Sequence, residues 1–532
     1  MPSVGVPDRG LAGKRRGPWW VLFWALILSS LYLPSLATRF DFIDDGNLVY
    51  PSPPLPLGQR VQLAWDKVVG NYHDLGPFRP VLWAHWEIQA ELLGAVAFRW
   101  RVARLLWLTV AAATLLWLFL ELGIRPGAAV VTAALAMWTP YRNEIWTSLT
   151  LSEGVAMPYA ILGLVCAIRA ARSSRPGPWD IAGALCALAA LGCKNTFAAL
   201  VPAQCFLRLA ADGQPLQDAW RRHGRRACLL ALTVLVPSVH YIIFKLQWHP
   251  GQYETGGPSW VQLGRMLRAM KRASGADFVG PGLALAALAL LVNGFALVGP
   301  PPAPGSHRTI PLPLAARAGF RPLWGRYRTA LLTGLLLLVC GIGIYLPLHA
   351  VSGRYSMPAV WGADLWIAAL LSMLPEVPSG FWRRAACLVL AGGLLGVAVA
   401  NLGKQSKFAA RAAMLWQTLE FVEARAPHGA CLGWLAGPDL NVEEGIHFLW
   451  HLHARGRRDV TISLLDAQGR PLSRREVPPT DRSPVLALNG SASPPPGGSW
   501  RLMREFTAAY WAGHRRYHCS LWANPLEAQD GS

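Results

Sequence analysis

Residues 103–121 read ARLLWLTVAAATLLWLFLE, nineteen residues that are almost wholly apolar and end on an acid. As a helix the stretch rises about 28 Å, close to the roughly 30 Å of a bilayer's hydrocarbon core. Ten further apolar stretches stand on either side of it, at 19–37, 127–140, 152–169, 180–193, 196–210, 227–245, 281–299, 329–348, 357–374 and 385–402. Those at 127–140, 180–193 and 196–210 are short for a full crossing. The pattern predicts an α-helical polytopic membrane protein with about eleven transmembrane helices. Composition agrees: 53% of the 532 residues are hydrophobic and 15% charged, where soluble proteins carry about one quarter charged residues. The 25 Trp suit long boundaries between lipid and water.

The formal charge of +20 does not point to nucleic acid, because the cations fall in short clusters between apolar stretches. Such clusters set membrane direction. With the N-terminus inside, the cytoplasmic segments are 1–18, 122–126, 170–179, 211–226, 300–328 and 375–384. They carry the pairs Arg15 and Arg16, Arg172 and Arg175, and Arg383 and Arg384, and the larger groups Arg221 to Arg226 and Arg317 to Arg328. The short opposite connections at 141–151, 194–195 and 349–356 hold one basic residue each. The alternation predicts a multi-pass protein of the cell (inner) membrane, with a cytoplasmic N-terminus and an extracytoplasmic C-terminal domain. The first stretch also has signal-peptide features, with Arg9, Lys14, Arg15 and Arg16 ahead of it and Ser35-Leu36-Ala37 at its end. Its length and Trp content favour a retained anchor.

Three parts follow: a cytoplasmic tail 1–18, a transmembrane domain 19–402 with a long first outer loop 38–102, and a domain 403–532. That last part has a small soluble α/β pattern. Strands are expected at 430–436, 459–465 and 485–488, and a helix from a cap at Asn441 to Gly456. The aromatic-rich runs 504–511 and 515–522 suggest a hairpin. Its two cysteines, Cys431 and Cys519, could pair in an oxidising compartment or stay as thiols. His447 and His451 stand one helical turn apart, but no third ligand follows in a metal-site pattern. Asn489-Gly490-Ser491 fits a glycosylation sequon, discounted because the Ala- and Arg-rich composition has a bacterial character.

Polar residues that could carry chemistry gather in the outer connections. The first loop opens on Phe40-Asp41-Phe42-Ile43-Asp44-Asp45-Gly46, where adjacent carboxylates could act as a base or orient an acceptor; a solvated turn would look the same. Arg79, in Pro77-Phe78-Arg79-Pro80, starts an amphipathic stretch reaching Trp100 and could pair with a phosphate. Next come Glu144 in Tyr141-Arg142-Asn143-Glu144, then Glu153 after Ser152, Lys194 before Asn195, and Arg354-Tyr355 before Pro358. Ionisable groups at membrane level cost about 2.5–3.5 kcal/mol each by insertion scales, so they are functional candidates.

In their order these pieces resemble the GT-C fold glycosyltransferases, which include protein O-mannosyltransferases and oligosaccharyltransferase catalytic subunits. The pattern is most similar to the multispanning bacterial glycosyltransferases and the transmembrane-and-TPR mannosyltransferases. The resemblance is carried by Asp44-Asp45, Phe78-Arg79-Pro80, Pro140 to Trp146, Lys194 and Arg354-Tyr355 to Pro358, and covers about residues 20–400. Asn195 stands where an acidic residue is expected, and the tail is not a TPR array.

The resemblance implies transfer of a sugar from a polyprenyl-phosphate donor to the hydroxyl of a glycan, lipid or protein acceptor, with inversion. Asp44 or Asp45 would be the base. Arg79, Lys194, Arg354 and Tyr355 would bind the donor phosphate, with Glu144 and Glu153 as supporting acids. Some relatives use a divalent metal (Mg or Mn) and others none. Two other readings exist. A transporter or flippase of a lipid-linked or anionic substrate should have repeated halves and charges near mid-bilayer, and neither is evident. A scaffold for the tail would not need eleven spans.

Overall fold

The computed structural model describes residues 17–42, 45, 48, 56–75, 78–247, 260–298, 312–344, 357–376, 380–437, 440–472, 483–496, 499–510 and 516–524. Asp44, Arg354 and Tyr355 lie outside the described residues.

Over its described residues, each expected apolar stretch is mainly helical. The helices are α1 (Pro18–Ser30), α2 (Leu57–Leu75), α3 (Pro80–Leu93), α4 (Ala97–Glu121), α5 (Pro126–Trp138), α6 (Asn143–Thr147), α7 (Ser152–Arg172) and α8 (Gly177–Cys193). They continue as α9 (Val201–Ala210), α10 (Leu216–Gln247), α11 (Trp260–Ala273), α12 (Ala276–Val298), α13 (Leu312–Gly343), α14 (Met357–Met373), α15 (Gly380–Arg425) and α16 (Val442–Ala454). Among the described residues, α4, α7, residues 326–343 of α13 and α15 are long and apolar enough to cross a membrane. The apolar helices α1, α5, α8 and α14 are shorter. At thirteen residues α5 rises only about 20 Å. Most of its residues are buried among its neighbours.

The bundle is apolar outside as well as within, and its polar groups are held inside. Leu22, Phe23 and Leu26 of α1, Leu106 and Val110 of α4, and Leu388 and Leu395 of α15 face outward. Arg104, Thr114, Thr132, Arg142, Gln204, Asp364 and Asn401 are buried inside. Apolar side chains facing outward, with the polar groups held inside a largely apolar core, suit lipid as the solvent.

Two polar clusters pin the helices together. Arg142, just before α6, meets Asp364 of α14 in a two-pronged pair, each nitrogen 2.8 Å from its oxygen. Its Nε donates to Ala273 O at 2.7 Å. Beside it, the Asn401 amide donates to Trp138 O (2.7 Å) and to the Tyr32 hydroxyl (3.0 Å), while its oxygen accepts from Asn143 (2.8 Å). Removing any one partner leaves a buried polar group unpaired, which is why such networks fix one arrangement.

Two features differ from the sequence expectation. The amphipathic stretch expected to run to Trp100 breaks at Gly94, whose φ of 60° favours glycine; α3 stops there and α4 begins at Ala97. The last apolar helix does not end at 402. α15 runs on as one helix to Arg425 and carries the C-terminal domain directly.

That domain is a five-stranded mixed sheet, β1 (Cys431–Leu435), β2 (Thr461–Leu465), β3 (Leu486–Asn489), β4 (Arg501–Ala509) and β5 (Arg516–Ala523), in the order β2-β1-β3-β5-β4. β1 pairs in parallel with β2 and β3, while β5 is antiparallel to β3 and β4. α16 joins β1 to β2 and starts with a full capping box, Asn441 and Glu444 each serving the other's backbone N–H. Cys431 and Cys519 lie on strands that β3 separates, beyond the reach of a disulfide. The sheet packs on α15 through aromatic and cationic side chains. Phe421 meets Phe506 at 5.8 Å, and Arg504 stands over both rings.

Candidate functional site

At one end of the bundle, the segment after α1 turns through Leu33–Ala37 into residues 38–42. The loop is held from three sides. Trp416 Nε1 of α15 donates to Phe40 O at 2.8 Å. Phe42, wholly buried, enters an aromatic pocket of Trp416 (5.4 Å), Phe448 (5.7 Å) and His451 (5.0 Å between ring centres). The Asp45 carboxylate, also fully buried, accepts the Asp41 N–H at 2.8 Å and lies 3.7 Å from the Arg101 guanidinium.

Arg101 and Arg104 stand one turn apart on α4, both buried. Arg101 also donates to the carbonyls of Arg39 (2.9 Å) and Thr147. Arg104 donates to the Ile145 and Trp146 carbonyls, with Asp45 and Glu153 both within its electrostatic reach. Glu153, in the first turn of α7, forms an ion pair of 2.9 Å with Lys194 at the end of α8 and accepts from Ser152 Oγ at 3.2 Å. Arg79, preceding α3, lies near Cys193, the neighbour of Lys194. Asp45, Arg101, Arg104, Glu153 and Lys194 therefore form one row of charges, two acids and three cations, running from the aspartate loop across α4, α7 and α8.

Two clefts flank the row. Asp41, Arg101, Ser148, Gln405 and Phe408 line the first. His85, Gln89, Trp100, Arg104 and Trp107 line the second. Burial, aided by Arg104, pushes the His85 imidazole down to about 4, so it is neutral at pH 7. His451 is pushed down to about 3, chiefly by burial. It supports Phe42 as a neutral aromatic ring.

Local geometry depends on two residues of α7. Pro158 has no N–H to give the Gly154 carbonyl. Trp107 Nε1 supplies the donor at 3.1 Å, which fixes the indole against the second cleft. A methyl on Gly154 would overlap the Arg104 guanidinium and come 2.5 Å from Ile145 O. Gly154→Ala is therefore expected to cost about 1–3 kcal/mol and to displace Arg104 from Ile145. Thermal unfolding measures the first effect. Gly163→Ala, whose nearest neighbour is the end of a Gln204 side chain at 3.3 Å, should cost less; equal costs would contradict the role given to Gly154.

The structure thus joins Asp45, Glu153 and Lys194 through arginines that the sequence reading passed over. Glu144, half-buried on α6, lies instead beside Lys404 of α15. Asp41 was legible only as part of the Phe40–Gly46 run, yet it lines an open cleft while Asp45 is sealed. The signal for Arg101 and Arg104 was their spacing of three at the head of an apolar stretch. Among the described residues no three His, Cys, Asp or Glu side chains are grouped to hold a metal ion. The guanidinium of Arg101 stands 3.7 Å from the Asp45 carboxylate.

No family model matches the chain, and no curated protein matches it in sequence. Among solved structures, that of ArnT from Cupriavidus metallidurans bound to undecaprenyl phosphate is similar over 96% of this chain and 98% of its own, at 13% identity and a TM-score of 0.43. A likeness of that degree leaves the function to the residues.

Proposed function

We propose that the protein is a membrane glycosyltransferase that moves a sugar from a polyprenyl-phosphate donor to an acceptor hydroxyl at the outer face of the membrane. The observation that carries this reading is the charge row between two clefts at one end of an apolar bundle. Arg104 and Lys194, with Arg79 near the latter, would hold the donor phosphate, and their charge would stabilise it as it leaves the anomeric carbon. Asp41, facing the first cleft, would take the proton of the attacking hydroxyl, and attack from the side opposite the phosphate inverts the anomeric centre. Asp45 would orient Asp41 by holding its backbone N–H. Asp44, Arg354 and Tyr355 remain proposals from the resemblance, as base and phosphate partners.

The test is transfer from a panel of labelled polyprenyl-phosphate sugars by the full chain in proteoliposomes. Wild type should transfer from at least one donor, and Lys194→Met should lose about 10²–10³ of the rate, the order seen when one charge-stabilising donor is removed. Failure of every donor, together with movement of a labelled lipid-linked sugar between leaflets, would replace this reading with transport.

A further inference from the structure

The helix α11, Trp260–Ala273, has three distinct faces. At 100° per residue, Met266, Met270 and Ala273 share an arc of about 60°. All three are buried, Met270 and Ala273 in a cluster with Ala359 and Val360 of α14. Trp260 and Leu267 share a second face within about 20° and are 87% and 49% exposed; Lys271 on the same side is paired with Asp277 at 3.0 Å. Arg265, Arg268 and Arg272 form the third face within about 60°, with Val261 between them, and all are exposed. Arg272 stands 5.7 Å over the Tyr141 ring. Among the described residues, no acidic side chain forms an ion pair with Arg265 or Arg268.

An exposed Trp and Leu beside a stripe of guanidinium groups would be unfavourable wholly in water or wholly in hydrocarbon. At the boundary both faces are satisfied. The apolar one enters the acyl region and the cationic one meets phosphate, which guanidinium binds with two parallel donors. The position agrees, because Arg142 binds the last carbonyl of α11, so the helix lies at the same end of the bundle as the charge row. Fixed to α14 by its buried face, α11 presents the arginines at a constant depth. We infer that α11 is a docking surface for the phosphate headgroups of anionic phospholipids in the leaflet on the charge-row side. The inference does not depend on the sugar-transfer reading.

The experiment places the full chain in nanodiscs of phosphatidylcholine mixed with phosphatidylglycerol and measures, by mass spectrometry, the lipids retained on extraction. Wild type should retain phosphatidylglycerol in preference to phosphatidylcholine. Each basic residue near an anionic surface is worth about fivefold in affinity, so Arg265→Gln/Arg268→Gln should reduce the preference by about 25-fold. Its unfolding temperature in pure phosphatidylcholine should match wild type, since both side chains are exposed. Arg458→Gln/Arg470→Gln in the C-terminal domain, both exposed, serves as the charge-matched control and should keep the wild-type preference. Equal preference in wild type and the α11 variant overturns the inference, as does an equal loss in the C-terminal control. Displacement of phosphatidylglycerol by soluble polyphosphate would also overturn it, pointing to a soluble polyanion.

Discussion

Asp41→Asn is expected to lower sugar transfer by about 10²–10⁴-fold, the range lost when a positioned general base is removed. The substitution keeps the backbone N–H that Asp45 accepts at 2.8 Å, so the loop should keep its course and the KM for donor should change little. Asp45→Asn acts differently. It weakens both the bond to the Asp41 N–H and the contact with Arg101 at 3.7 Å, so it should lower stability as well as transfer. Rates and unfolding temperatures measured on both variants separate the roles. If Asp41→Asn transfers like wild type while Asp45→Asn does not, the base is Asp45 and the cleft-facing carboxylate is a bystander.

The second large effect concerns stability. Asp364→Ala leaves the Arg142 guanidinium charged and enclosed, since its side chain has no exposed surface and its partner's is only 1% exposed. Breaking such a pair by removing one member costs about 3–5 kcal/mol, a large share of the 5–15 kcal/mol typical of folded proteins. Replacing both members, as Arg142→Met/Asp364→Leu, should recover much of that loss, because hydrophobic substitutes for a buried pair are often neutral or better. Thermal unfolding in detergent gives the cycle. A double variant no more stable than Asp364→Ala would mean that the remaining bonds of Arg142, to Ala273 and Ala136, matter more than its charge.

Much of the architecture was readable from local pattern. The apolar stretches and the alternating strands of the tail obey periods of 3.6 and 2, and the Asn441 to Glu444 cap is a four-residue signal. Where reading stopped short, the missing information was distant in the chain. α2 is too polar to stand out as a span; its place follows from Arg60 meeting Glu87 of α3 at 3.5 Å. The continuation of α15 past 402 follows from the sheet, whose Phe506 and Tyr517 cover the helix where lipid no longer does.

The site shows the same division. Carboxylates and cations in outer connections could be found by their cost in lipid, and Glu153 with Lys194 came together as a pair. Arg101 and Arg104 were hidden because cations at the head of an apolar helix look like ordinary boundary residues. Only the fold brings the Ile145 to Thr147 carbonyls over them. Gly154 became informative only once Arg104 was seen to pass across it.

The pocket that receives Phe42 also sets an order for making the protein. Phe42 leaves the ribosome with the first helix, but two walls of its pocket, Phe448 and His451, are synthesised after more than three quarters of the chain. Until then the aspartate loop has Trp416 at most to rest on, and none of the C-terminal sheet to brace it. A nascent or truncated chain would carry every residue of the charge row and still lack the brace that holds Asp41 toward its cleft. The brace around Phe42 is complete only once the chain has been made as far as His451.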